Sequence, residues 1–171
     1  MNKAKRLGYG KNKDIESHKN DNNLASDDPS VHLKRGDSYG KSKNFDKAIQ
    51  EYTKAIELDP KYIDAYFNRA LTCALMRDNK KAVDDFTKIL QFNPKNAKAY
   101  YYRGICNKMM GDQAKAQADF ENAKQLFSEE IRLSPNNANA YFYRGLCYKT
   151  MGDESNAKAD FAKAKELGYK G

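Results

Sequence analysis

The 171-residue chain has no tryptophan, two histidines, three cysteines and four prolines. It has no apolar run near the ~18 residues that cross a bilayer, and its mean hydropathy is −0.96. A membrane-spanning helix is therefore excluded. Four prolines and ten glycines exclude collagen and Pro/Gly low-complexity sequence. The cysteines, Cys73, Cys106 and Cys147, are odd in number and form no CxxC. A disulfide framework and a zinc site are both poorly supported. Free thiols fit a reducing compartment, and residues 1–28 lack the apolar core of an export signal, so the expectation is a cytoplasmic chain. What is present is twelve Tyr and eight Phe, ample material for a core, and a net charge of +8. The lysines are scattered rather than clustered, which reads as a solvated surface rather than a nucleic-acid site.

The chain repeats itself. Small residues recur at Gly36, Ala70, Gly104 and Gly145, spaced 34, 34 and 41 apart. Twelve residues after each lie Ala48, Ala82, Ala116 and Ala157. Sixteen after lie Tyr52, Phe86, Phe120 and Phe161; nineteen after lie Ala55, Ile89, Ala123 and Ala164. Four before lie His32, Tyr66, Tyr100 and Tyr141. Five columns at one period are not chance. Asn44, Asp78, Asp112 and Asp153 can N-cap the second segment of each unit, and Pro60, Pro94 and Pro135 stop it. The pattern predicts eight helices, near 30–42, 45–58, 64–76, 79–92, 98–110, 113–133, 139–151 and 154–167.

With its words LKRGDSY (33–39), FNRALTC (67–73), YYRGICN (101–107) and FYRGLCY (142–148), the chain resembles the tetratricopeptide repeat family. The arginine before each small residue is that of its "NRG" branch. The resemblance covers residues 29–171, as repeats 29–62, 63–96, 97–137 and 138–171. It implies an all-α fold, a right-handed superhelical solenoid of antiparallel helix pairs. Arg35, Arg69, Arg103 and Arg144 each have an acid sixteen residues later: Glu51, Asp85, Asp119 and Asp160. A ladder of structural ion pairs is expected rather than a site for an acidic ligand.

Two departures stand out. The third unit carries seven extra residues, and both Phe120 and Phe127 can serve as its second-helix aromatic. Without Gly or Pro over 118–133, one longer helix is expected. At the start, Lys3-Ala4-Lys5-Arg6-Leu7-Gly8-Tyr9 matches Lys163-Ala164-Lys165-Glu166-Leu167-Gly168-Tyr169. Residues 1–28 thus read as a polar tail with the remnant of a preceding repeat, as though the chain were cut from a longer array.

No P-loop, GxGxxG, HExxH or GxSxG occurs, and the histidines lack ligand spacing. The expectation is no enzyme, no cofactor and no metal. That leaves binding of a protein or peptide. In this family the first helices line the concave face, which implies a groove of Phe67, Asn68, Leu71, Lys98, Tyr101, Tyr102, Ile105, Asn139, Phe142, Tyr143 and Leu146, with Leu75, Lys108, Met109 and Lys149 near the turns. The Tyr and Phe columns can equally pack between neighbouring repeats. Self-association, or a segment of a longer scaffold, is the alternative. One branch of the family grips chaperone carboxylate tails; of its five positions, here Leu33, Asp37, Asn68, Lys98 and Tyr102, only Asn68 and Lys98 match. Asp37 would repel a carboxylate, so a co-chaperone is a minor reading.

Overall fold

The computed structural model describes residues 27–170. The remnant read at residues 3–9 lies outside them. The described residues form eight helices: α1 (Pro29–Lys41), α2 (Phe45–Leu58), α3 (Ile63–Leu75), α4 (Asn79–Phe92), α5 (Ala97–Met109), α6 (Gln113–Leu133), α7 (Ala138–Thr150) and α8 (Glu154–Glu166). Each packs chiefly on its neighbours in sequence, so the architecture is an all-α repeat solenoid of four hairpins. The first helix of each hairpin starts and ends one residue earlier than the sequence pattern suggests.

That shift follows from how the hairpins turn. α1, α3, α5 and α7 end on C-caps Ser42, Met76, Met110 and Met151. The next residue is left-handed: Lys43 (φ 59), Arg77 (φ 64), Gly111 (φ 85) and Gly152 (φ 87). The residue after it sends its N–H back to a carbonyl one turn earlier, as Asn44 does to Tyr39 and Asp78 to Cys73, both at 2.9 Å. That same residue then caps the following helix. Asn44, Asp78, Asp112 and Asp153 accept from the backbone N–H of Lys47, Lys81, Lys115 and Asn156. One residue thus closes one helix and opens the next.

Two outcomes follow. Left-handed backbone costs a non-glycine residue about 1–2 kcal/mol, and glycine returns roughly 0.5–1 kcal/mol through unfolded-state entropy. Lys43→Gly is therefore expected to raise Tm by about 1–2 °C in a calorimetric scan. The capping carboxyls of Asp78, Asp112 and Asp153 are held below their ordinary value of 3.8, first by side-chain hydrogen bonds from Lys81, Lys115 and Asn156 and then by the capped backbone N–H groups. Acids depressed in the fold stabilise it fully above the unfolded value and lose that stabilisation as pH falls through the folded one. Tm should hold down to about pH 4 and fall below it, and the triple Asp→Asn variant should lose less of it.

The core runs between the two helices of each hairpin and on to the first helix of the next. Gly36, Gly104 and Gly145 sit where a Cβ would meet the rings of Tyr52, Phe120 and Phe161 at 2.4, 2.7 and 2.8 Å. The small-residue column exists for this approach. α6 is the single long helix expected, 21 residues. Its extension divides one job between two rings. In α4, Phe86 shares a core cluster with Ala70 and also stacks on Tyr102 of the next hairpin, centroids 6.0 Å apart at 14°. In α6, Phe120 fills the space against Gly104, while Phe127 stacks on Tyr143 at 5.5 Å and 16°. The fourth hairpin is therefore seated two turns further along its predecessor.

The arginine ladder forms on three rungs. Arg69, Arg103 and Arg144 each grip Asp85, Asp119 and Asp160 with two nitrogens, at 2.7–3.0 Å. Each also donates to a hydroxyl sixteen residues earlier, on the preceding hairpin: Thr53, Thr87 and Ser128, at 2.9, 3.2 and 3.3 Å. The pairs therefore bind neighbouring hairpins together as well as the two helices of one hairpin. Tyr66, Tyr100 and Tyr141 lie 5.4–5.6 Å from these guanidiniums and brace them. The expected fourth rung is not made. The tyrosine position there holds His32, whose Nδ1 lies 2.6 Å from Glu51, and Lys54 takes the other oxygen at 3.2 Å. Arg35 stays exposed.

The cysteines are buried, and burial pushes their thiols up, Cys106 to about 11 and Cys147 to about 12. Such thiols are packing groups rather than nucleophiles. On α8, Lys158 and Lys165 are exposed, and Tyr169 stacks on Phe142 with centroids 4.1 Å apart.

Candidate binding groove

The sequence-predicted rings come together in one array. Phe67 meets Tyr102 edge-on at 5.6 Å. Tyr102 meets Tyr143 at 6.3 Å, and their hydroxyls are 3.3 Å apart. Tyr101 touches both Tyr102 and Tyr143, and Phe142 continues the line to Tyr169. First-helix rings from three hairpins thus make a continuous aromatic floor, with Phe86 and Phe127 beneath it. Burial pushes the phenols of Tyr101 and Tyr143 up to about 12, so both stay neutral. Tyr101 is buried; Phe67, Tyr102, Phe142 and Tyr143 are half-buried and keep part of each ring accessible.

Two depressions lie on the hairpins that carry the floor. At the α5–α6–α7 junction lies a cleft of about 250 Å³, lined by Lys98, Asn139, Tyr143, Phe127 and Glu130 with neighbouring backbone. Lys98 stands exposed on the first turn of α5, its Nζ 4.9 Å from the Tyr143 ring centroid, and Asn139 stands exposed on the first turn of α7. Phe127 and Glu130 come from the lengthened part of α6, so the seven extra residues build this cleft. Burial pushes the Glu130 carboxyl up, and Lys98 pulls it back down.

The second depression, of about 270 Å³, is lined by Asn68 and Leu71 with Asp37, Gly40, Tyr52 and Thr72. Asn68 Nδ2 donates to Asp37 Oδ1 at 2.8 Å, and the Tyr52 hydroxyl donates to the same oxygen at 2.9 Å. The Asn68 amide nitrogen is thus committed to an inter-hairpin bond. Leu71, Ile105 and Leu146 are half-buried against the core rather than standing clear of it.

Sequence reasoning missed two features. One is Glu130, hidden in a stretch read only for its helix length. The other is a pair of grooves between successive second helices. One, of about 360 Å³ near Arg69 and Asp85, adjoins a wider part of about 720 Å³ that shares Ile49, Cys73 and Lys81. The second, of about 440 Å³, lies around Arg103 and Asp119. The sequence signal was the hydroxyl at Thr53, Thr87 and Ser128, which brings each arginine under the preceding hairpin.

Family models described as "TPR repeat" and "Tetratricopeptide repeat" match residues 36–76, 63–96, 86–118 and 138–167. The chain belongs to the tetratricopeptide repeat family. Among solved structures it is similar to a crystal structure of MamA, with 25% identity, 90% of this chain and 85% of that one covered, and a TM-score of 0.59. It has the same fold as MamA from residue 41 onward of Desulfovibrio magneticus RS-1, at 19% identity, covering 82% of this chain and 76% of that one, with a TM-score of 0.56. A curated relative, an uncharacterized protein of Methanocaldococcus jannaschii, is 40% identical over 45 residues. The match spans 26% of this chain and about half (52%) of that relative. The tetratricopeptide repeats support a protein–protein interaction or assembly scaffold. No helix among the described residues is long and apolar enough to cross a membrane.

Proposed function

We propose that this tetratricopeptide repeat protein binds a peptide segment of a partner in the groove floored by Phe67, Tyr102 and Tyr143. The observation that carries the reading is the junction cleft, where Lys98, Asn139 and the Tyr143 ring converge beside a half-accessible aromatic floor. Rings that are fixed from below lose little entropy when a ligand covers them, and they make effective anchors. Asn139 can hold a peptide amide, and Lys98 favours an acidic or carbonyl-rich stretch. The groove chemistry is recognition without bond-making. The test is a pull-down with partner identification by mass spectrometry, run with wild type and with Lys98→Glu/Asn139→Ala. Both substitutions are at exposed positions, and circular dichroism checks the fold. A partner captured by wild type and lost by the variant supports the groove; partners retained equally by both count against it.

A further inference from the structure

A second surface is carried by the turns joining α3 to α4 and α5 to α6. Four large apolar side chains occupy equivalent positions there: Leu75 and Met109, 70% and 68% exposed, and Met76 and Met110, 44% and 46% exposed. Neither core cluster uses any of them. The equivalent positions of the first hairpin are Lys41 and Ser42, and those of the last are Thr150 and Met151. The apolar edge is thus confined to the two middle hairpins. A lone exposed leucine is ordinary, but four large apolar side chains at matching positions of two neighbouring hairpins call for a partner.

The edge leads into the grooves between second helices. Met76 lines the wider groove beside Ile49 and Cys73, and Met110 lines the next one beside Val83 and Asn107. Met76 and Met110 thus border two seats, one beside each middle hairpin, that can take apolar side chains of a partner. Methionine, unbranched and polarizable, adapts to such anchors.

Charge selects the occupant. Among the described residues Arg77, Lys80, Lys108 and Lys149 make no ion pair. Of the acids nearby, Asp78 and Asp112 cap helices and are held by Lys81 and Lys115 at 2.9 and 2.7 Å, while the exposed Asp46 and Asp84 on the groove walls make no ion pair among the described residues. The four unpaired cations outnumber these two acids, so the edge meets a partner with net positive charge. The opposite edge differs. Its exposed Leu58, Phe92 and Leu133 lie among charges of both signs, and Phe92 leans on Tyr66 with centroids 6.0 Å apart.

We infer that the α3–α4 and α5–α6 turn edge docks an acidic segment of a partner protein through its apolar side chains, separately from the aromatic groove. Concave seats favour protein side chains over a flat bilayer. The test pans a random-peptide display library against the folded full chain. Peptides are then titrated against Leu75→Asp/Met109→Asp and, separately, Arg77→Glu/Lys108→Glu, both at exposed positions. The expected winners carry net negative charge with at least two large apolar residues. They bind each variant at least about tenfold more weakly, as loss of one good anchor or charge pair implies, and bind Lys98→Glu/Asn139→Ala unchanged. Winners without excess acid, winners that bind the edge variants as well as wild type, or no enrichment at all would overturn the inference. Co-sedimentation with phosphatidylserine/phosphatidylcholine vesicles that is lost in the Leu75→Asp/Met109→Asp variant would overturn it in favour of a membrane surface.

Discussion

Arg103→Met is expected to cost the fold about 3–5 kcal/mol, because it strands the buried Asp119 carboxylate. Arg103 supplies two donors to that acid, at 2.7 and 3.0 Å, and a third to Thr87 at 3.2 Å. Only Asn107 Nδ2, at 3.0 Å, remains to the acid when the guanidinium is gone. The isolated pair is not itself a large source of stability, since burying both ions costs most of what their attraction gives. The double variant Arg103→Met/Asp119→Leu should therefore recover most of the loss, short of about 1 kcal/mol for the orphaned Asn107. Denaturant melts of the two variants check this. Equal destabilisation of both would show that the arginine acts through packing and the Thr87 bond rather than through the acid.

The second large effect concerns the lengthened α6. Deleting residues 121–127 joins Asp119-Phe120 to Ser128, which reproduces Asp85-Phe86-Thr87 of α4 and restores the 34-residue period. On sequence grounds the shortened chain looks more regular. The deletion nevertheless moves Glu130 into the column of Ala55, Ile89, Ala123 and Ala164, which are all buried. An unpaired carboxylate there must be buried charged or protonated, at a cost of about 3–5 kcal/mol. The expected result is a marked loss of stability at pH 7, recovered by adding Glu130→Ile. Without that rescue, the deletion variant should become more stable relative to wild type as pH falls. An acid raised in the fold destabilises at pH above its unfolded value, and protonation relieves this. A deletion variant as stable as wild type at pH 7 would show that the extension has no part in the core.

These two sites show where the sequence could be read and where it could not. The hairpin turns were legible because one residue type, Asn or Asp, both ends and starts a helix at a fixed place. The long helix was legible because nothing between 118 and 133 breaks one. The missing ladder rung was not: it depends on His32 replacing a tyrosine that elsewhere braces the arginine, an effect visible only when the three side chains are placed together. The groove was legible in part. Phe67, Tyr102 and Tyr143 were expected either as ligand contacts or as packing between repeats, and the geometry makes them a packed array with accessible faces. Asn68 was read as a peptide holder, but its amide nitrogen is taken by Asp37, an acid counted at first only for its repulsion.

The most direct test of the central claim is amide chemical-shift mapping with a peptide drawn from a captured partner. The groove account predicts perturbations at Phe67, Lys98, Tyr102, Asn139 and Tyr143 on α3, α5 and α7. Perturbations confined to α2, α4, α6 and α8, with those residues unmoved, would contradict it.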